Sequence, residues 1–153
     1  MVSDRNRKLH IVITIAVMVF IFVQSALPGD LSGAESNIIV DLLHELTGLD
    51  AEALSLFVRK TAHFTEFMIL GACLAVNVRD HAEGTGRVPG LPDWIAAWII
   101  GTAYAATDEL HQSFVPDRAC AFTDVCIDSA GVAAGVIIAA VICSRLARAQ
   151  KRQ

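Results

Sequence analysis

Residues 107–118 read TDELHQSFVPDR and close an apolar run that begins at Trp94. This short segment crowds carboxylates, an imidazole and an amide against the end of the run. Ionisable side chains in such a setting are costly, and they are typical of functional sites that face a helix-bundle interior or water. The segment therefore predicts a polar site at one face of a membrane, presented there by the rest of the chain.

Composition indicates the class of protein. Of the 153 residues, 54% are hydrophobic and only 18% are charged, and the mean hydropathy is +0.53. By these values the chain is too apolar for an ordinary soluble domain of this size. The charges cluster between long apolar runs, so residues 1–153 are predicted to form a single membrane domain. The net charge of −4 argues against nucleic acid as a partner.

The apolar runs predict an all-α membrane protein, with four transmembrane helices in a bundle plus a short interfacial amphipathic helix in the first outer loop. The predicted spans cover residues 9–27, 57–78, 94–114 and 121–144. A cleaved signal peptide would also begin like the first run, which follows Arg5, Arg7 and Lys8. The length of the run and the poor cleavage site at residues 24–26 favour a retained span.

The segment between the first two spans is strongly acidic. Residues 30–58 carry six carboxylates and neither Lys nor Arg, while Ile38, Ile39 and Leu42 begin an apolar pattern at helical spacing. This pattern predicts a short helix that lies in the membrane surface. A solvated loop with one apolar turn is the alternative. Asp50 is predicted to cap the helix that follows.

The basic residues predict the orientation. Nine of the twelve Lys and Arg residues lie before the first span, in residues 79–93 or after the last span. The positive-inside rule therefore places both termini in the cytoplasm. With that orientation, the polar ends of the last three spans share the outer face of the membrane.

Helical spacing groups the polar residues of each span on one face. These faces carry Arg59, His63 and Glu66 in the second span, Tyr104, Asp108, His111 and Gln112 in the third, and Asp124 and Asp128 in the fourth. Glu109 is turned by roughly 100° from the face of the third span. Below the two aspartates, Gly131 and Gly135 predict a groove that lets another helix approach closely.

Three ordered motifs stand at these polar ends: RKxxHFxEFxxLG at residues 59–71, DExHQxFxPxR at 108–118 and DxxxDxxGxxxG at 124–135. Together they resemble the motifs of the VanZ-like family of small bacterial integral membrane proteins. The match covers roughly residues 57–140, more than half of the chain. Two residues depart from the family pattern, because Asp117 stands where Gly is usual and Phe67 where Tyr is common.

The resemblance implies a multi-pass protein of the bacterial cell membrane that acts in the cell envelope. The family takes its name from a member linked to resistance to the glycopeptide antibiotic teicoplanin. Antibiotic resistance is therefore a family association, and the resemblance does not by itself assign it to this chain.

One hypothesis is that the site binds or acts on a membrane lipid or a lipid-linked envelope precursor. The candidate catalytic residues are His63, Glu66, Asp108, Glu109, His111, Asp124 and Asp128, and the candidate substrate-binding residues are Arg59, Lys60, Gln112, Arg118 and Tyr104. A histidine would act as general base near neutral pH, oriented by a neighbouring carboxylate. The guanidinium and ammonium groups would hold a phosphate. The sequence leaves open whether any reaction is catalysed.

Other interpretations stay open. The spacings His63-x-x-Glu66 and Asp108-x-x-His111 each place two ligands on one helical face, which suits a divalent metal whose shell Asp124 and Asp128 could complete. A non-catalytic binding or shielding protein would instead use the cluster as a structural polar network. A proton pathway is disfavoured, because the inner halves of the spans are interpreted as lacking ionisable residues. No motif indicates a nucleotide or redox cofactor.

Overall fold

The computed structural model describes residues 3–27, 29–116 and 121–150. Within these ranges the chain forms five α-helices and no strand, which confirms the all-α prediction. The helices are α1 (Asp4–Ser25), α2 (Gly29–Thr47), α3 (Ala51–Gly84), α4 (Leu91–Gln112) and α5 (Phe122–Gln150). Arg118, a predicted phosphate ligand, lies outside the described residues.

Three of the described helices are long and apolar enough to cross a membrane: α1, α3 and the Phe122–Leu146 part of α5. The third predicted span, residues 94–114, corresponds to α4, which is not among these three helices. Its uncharged stretch, residues 94–107, is only 14 residues long because Asp93 precedes it and Asp108 follows it. A single helix needs about 20 apolar residues to cross the hydrocarbon core alone.

The helix α3 extends well past its predicted end. Asp50 caps its start, since the side chain accepts a hydrogen bond from the Ala53 N–H at 3.1 Å, as predicted. The predicted span ended at residue 78, but residues 79–84 continue the helix. No Gly or Pro interrupts the sequence RDHAE at 79–83. The turn comes at Gly86, whose φ of 73° favours glycine.

The connection between α3 and α4 is held by an ion pair. Arg87 makes a bidentate contact with Asp93, with N–O distances of 3.0 and 2.9 Å. The same carboxylate accepts a hydrogen bond from the Gly90 N–H at 2.8 Å, which satisfies a donor at the start of α4. The Arg87 contact and the Gly90 hydrogen bond lower the pKa of Asp93 to about 2.

The predicted glycine groove on α5 receives α3. A side chain at Gly131 would overlap the Phe64 carbonyl oxygen, and one at Gly135 would overlap that of Met68. Gly71 of α3 lies equally close to the backbone of α5. These contacts confirm the close helix–helix approach predicted from the GxxxG spacing. The fully buried side chains of the core include Phe67, Leu70 and Val132.

The helix α1 is joined to the bundle by polar contacts along its length. From one end to the other they are His10–Asp80 (2.6 Å), Asn77–Thr14 (2.6 Å), Tyr104 hydroxyl to Met18 carbonyl (2.6 Å) and Ser25–Asp108 (2.7 Å). Much of the remaining surface of α1 is apolar and exposed. That surface is expected to face lipid, so hydrogen bonds fix the rotation of α1 about its own axis.

The acidic segment after the first span is helical, which excludes the solvated-loop alternative for residues 29–47. In the part of α2 whose side chains are described, Val40 is buried, while Ile38 is 80% and Leu46 is 73% exposed. The helix packs on α3 through one face and leaves an apolar surface uncovered. Gly48, with φ of 67°, ends it and starts the turn into α3.

Candidate functional site

A cavity of about 440 Å³ lies where α3 and α5 begin and α4 ends. Its described wall consists of Leu56, Arg59, Lys60 and His63 of α3, Glu109 and Gln112 of α4, and Ala121, Thr123, Asp124, Ile127 and Asp128 at the start of α5. Three separate segments of the sequence therefore contribute polar side chains to one cavity. Seven of the predicted site residues are among them.

The close approach of α3 and α5 explains this convergence. Gly131 contacts the backbone of α3 at Phe64, and Asp128 lies about one helical turn before it, beside the stretch that contains His63. Asp124 lies a further turn toward the start of α5. Its carboxylate forms an ion pair with Lys60 across the cavity wall. The glycine contact therefore sets the distance between the cationic and anionic walls.

The deepest polar groups of the cavity are carboxylates and an amide. Asp128 is 1% exposed, Glu109 is 3% exposed, and Gln112 is also buried. Glu109 accepts a hydrogen bond from the Ala121 N–H at 3.2 Å. Asp128 Oδ2 is buried and has no hydrogen-bond partner among the described residues. A buried acceptor left in this state costs roughly 1–3 kcal/mol, more for a charged group.

Asp108 is buried but faces α1 rather than the described cavity wall. Its Oδ2 accepts hydrogen bonds from the Ser25 hydroxyl at 2.7 Å and from Gln112 Nε2 at 2.9 Å. Gln112 also lines the cavity. Its hydrogen bond to Asp108 therefore orients the amide from the side that faces away from the cavity. Ser25 was not among the predicted site residues. Its position as a hydroxyl residue near the end of the first apolar run could have identified it from the sequence.

Three other predicted residues are not part of the described cavity wall. His111 stacks on Phe22 of α1, with ring centroids 4.3 Å apart. Tyr104 donates its hydroxyl to the Met18 carbonyl and joins α4 to α1. Glu66 is half-buried on α3, about one turn beyond His63. The contacts of Tyr104, Asp108 and His111 show that the predicted polar face of α4 meets α1.

The metal hypothesis finds no support in the described geometry. Among residues 3–27, 29–116 and 121–150, no three His, Cys, Asp or Glu side chains are grouped as metal ligands would be. The two predicted ligand pairs are separated, because His63 lines the cavity while Asp108 and His111 turn toward α1.

A second polar cluster lies at the opposite end of the bundle and was not predicted. Asp80 is 2% exposed. Its Oδ2 lies 2.6 Å from His10 Nδ1, and its Oδ1 lies 2.8 Å from Arg79 Nη2. The interpretation that the inner halves of the spans lack ionisable residues is therefore wrong. The signal was present in His10, inside the first apolar run, and in the helical continuation of α3.

Long apolar helices whose polar ends surround a common cavity define a multi-pass membrane protein. The sequence profile of the VanZ/LLP1 family matches residues 10–143, and the chain belongs to that family. This match confirms the resemblance seen in the three motifs. No curated protein and no solved structure gives a significant match to the chain.

Proposed function

We propose that the cavity binds a lipid or lipid-linked phosphate headgroup at the outer face of the bacterial cell membrane. The observation that carries this proposal is the position of Arg59 and Lys60 in the wall of a cavity of about 440 Å³ at the helix ends. Arg59 is exposed and Lys60 is half-buried, so both reach an approaching headgroup. Guanidinium and ammonium groups are the usual protein ligands of phosphate.

In this proposal the whole chain forms one domain with four spans and cytoplasmic termini. The 22 residues of α4 give a helix about 33 Å long, enough for a hydrocarbon core of about 30 Å. Its contacts with α1, α3 and α5 supply the protein surroundings that its polar residues need. The distribution of Lys and Arg supports the orientation. The exposed apolar face of α2 then lies in the outer membrane interface, beside the start of α3.

Binding of short-chain lipids to the detergent-purified protein tests the proposal. Native mass spectrometry would compare dioctanoyl-phosphatidylglycerol with dioctanoylglycerol, which lacks the phosphate. We expect about tenfold tighter binding of the phosphate lipid, since a charged hydrogen bond contributes about 1.5–3 kcal/mol. The double variant Arg59→Gln/Lys60→Gln should remove this preference. Arg87→Gln, which changes an exposed guanidinium outside the described wall, is the matched control.

Equal binding of the two lipids by the unmodified protein would refute the proposal. A preference that survives the double variant would place the phosphate elsewhere. In cells, the family association makes teicoplanin susceptibility a convenient readout, with the same double variant expected to lose any protection that the protein gives.

Catalysis is a second hypothesis, favoured by one observation. His63 lines the cavity together with Asp128, so a histidine and a carboxylate face the same bound headgroup. If His63 is a general base, His63→Gln should retain lipid binding and abolish turnover. If the protein is a non-catalytic binder, no product will appear with the unmodified protein. The contacts of Asp108 with Ser25 and Gln112 support the structural-network interpretation for that residue.

A further inference from the structure

The cavity separates charge by depth. The cations of its described wall belong to α3, where Arg59 is exposed and Lys60 is half-buried. Its most buried carboxylates come from the other two helices, Glu109 from α4 and Asp128 from α5. A purely anionic ligand fits the outer part of such a site but meets negative charge in the inner part. A ligand that carries both signs fits throughout.

The inner part also contains an acceptor that lacks a donor among the described residues. Asp128 Oδ2 is buried in the cavity wall and receives no hydrogen bond from any described residue. Lys60, the ammonium group of the wall, is held by Asp124. A buried carboxylate oxygen is stabilised by a charged N–H donor more than by any neutral group. A ligand ammonium group would supply that donor.

The spacing between the two parts suits a short headgroup. Lys60 is fixed at the level of Asp124, and Asp128 follows four residues later on the same face of α5. Four residues of helix correspond to an axial rise of about 6 Å. A phosphate and an amine joined by a two-carbon linker can therefore contact both levels at once.

The type of amine follows from the composition of the wall. Quaternary ammonium groups are recognised by cages of aromatic rings. The described wall of this cavity contains no Phe, Tyr or Trp. A quaternary amine also has no N–H to donate to Asp128 Oδ2. Both observations favour a primary ammonium group over a choline-type group.

We propose that the cavity recognises a zwitterionic headgroup, with its phosphate at Arg59 and Lys60 and its primary ammonium group at Asp128 and Glu109. This inference rests on the proposed function and adds the class of headgroup. The ligand is accordingly an aminophospholipid of the phosphatidylethanolamine type, or a soluble molecule with the same phosphoethanolamine group.

The test compares three dioctanoyl lipids that share the phosphate: phosphatidylethanolamine, phosphatidylcholine and phosphatidylglycerol. We expect the full-length protein in detergent to bind the ethanolamine lipid about tenfold more tightly than the other two. Asp128→Asn, which conserves shape and removes the charge, should bring the ethanolamine lipid to the level of phosphatidylglycerol. Glu109→Gln should reduce the preference in the same direction. Asp93→Asn, at the opposite end of α4, should leave it unchanged.

The outcomes separate this inference from the proposed function. Loss of binding to all three lipids in Arg59→Gln/Lys60→Gln, with loss of the ethanolamine preference alone in Asp128→Asn, supports both. Equal binding of the three lipids by the unmodified protein overturns the amine site and leaves the phosphate site standing. Failure of all three to bind better than dioctanoylglycerol overturns the proposed function itself.

Soluble competitors identify the source of the headgroup. Displacement of the lipid by O-phosphoethanolamine but not by phosphocholine supports recognition of the headgroup alone. If phosphatidylethanolamine is selected but O-phosphoethanolamine does not compete, the ligand is the intact lipid, which also supports the inference. Equal displacement by phosphocholine overturns it. Thermal unfolding of each variant in the same detergent shows whether the bundle is intact.

Discussion

Asp80 and Asp128 are equally buried, at opposite ends of the same bundle, yet their surroundings differ. Asp80 is 2% exposed, and each of its oxygens has a cationic or imidazole partner. Asp128 is 1% exposed, and its Oδ2 has no partner among the described residues. Burial is therefore the same for these two carboxylates, and they differ in whether both oxygens have a partner among the described residues.

The largest expected effect is a loss of folding stability when Asp80 is replaced. Asp80→Ala leaves Arg79 and His10 without their shared partner in a largely buried setting. We expect a loss of about 3 kcal/mol in the free energy of unfolding, at the lower end for a broken buried ion pair because Arg79 is 22% exposed. Asp128→Asn should be neutral or stabilising. Thermal or denaturant unfolding in detergent measures both, and the opposite ranking would break the comparison.

The next largest effect is expected where Gly135 of α5 packs against the backbone of α3. Gly135→Val places a side chain against the Met68 carbonyl of α3, where the obstacle is backbone that cannot rotate away. We expect about 1–3 kcal/mol of destabilisation, typical of overpacking. Ala130→Val, on an exposed position of the same helix, is the control. If both variants unfold at the same temperature, the close approach of α3 and α5 is not maintained in the membrane protein.

A smaller loss of stability is expected when the hydrogen bond between Ser25 and Asp108 is removed. Ser25→Ala removes one donor to Asp108, and a hydrogen bond of this kind contributes about 1 kcal/mol to stability. Gln112 remains as the other donor, so lipid binding should change by less than threefold. Lipid titration of the variant checks this. A loss of binding as large as that of Asp128→Asn would contradict this expectation and show that the Ser25 hydroxyl is needed for binding.

The smallest effect concerns an exposed pair outside both clusters. The Arg87 contact and the Gly90 hydrogen bond lower the pKa of Asp93 to about 2. A lowered carboxyl pKa stabilises the folded protein above the unfolded value of 3.8, and this stabilisation disappears as the pH falls through about 2. The pair therefore causes no change in stability between pH 7 and pH 5. In Arg87→Gln the pKa of Asp93 should rise toward 3.8, which a carboxyl NMR titration would detect.

The sequence predicted the features that depend on spacing within one helix. The helical class, the groove at Gly131 and Gly135, and the alignment of Asp124 with Asp128 all follow from a period of 3.6 residues. The family motifs added the order of the segments along the chain. Lys60 and His63 were placed in the site because their charges stand at the start of a span.

The sequence could not predict which neighbour each face meets. Asp108 and Gln112 share a face of α4, but Asp108 contacts α1 while Gln112 also reaches the cavity. A helical wheel carries no information on the rotation of one helix against several others. The His10–Asp80 contact was missed for a related reason, because it joins the start of the first predicted span to a residue just beyond the end of the second, 70 positions away.

The long sequence separation of these contacts has a consequence for biogenesis. The partners of α1 at residues 77, 80, 104 and 108 follow it by 63 to 86 positions. During synthesis, α1 therefore enters the bilayer before the helices that satisfy His10 and Ser25 have left the ribosome. Its apolar surface is sufficient for insertion, but its final rotation is decided only when α3 and α4 arrive. The docking of α1 is thus completed only after most of the chain has been synthesised.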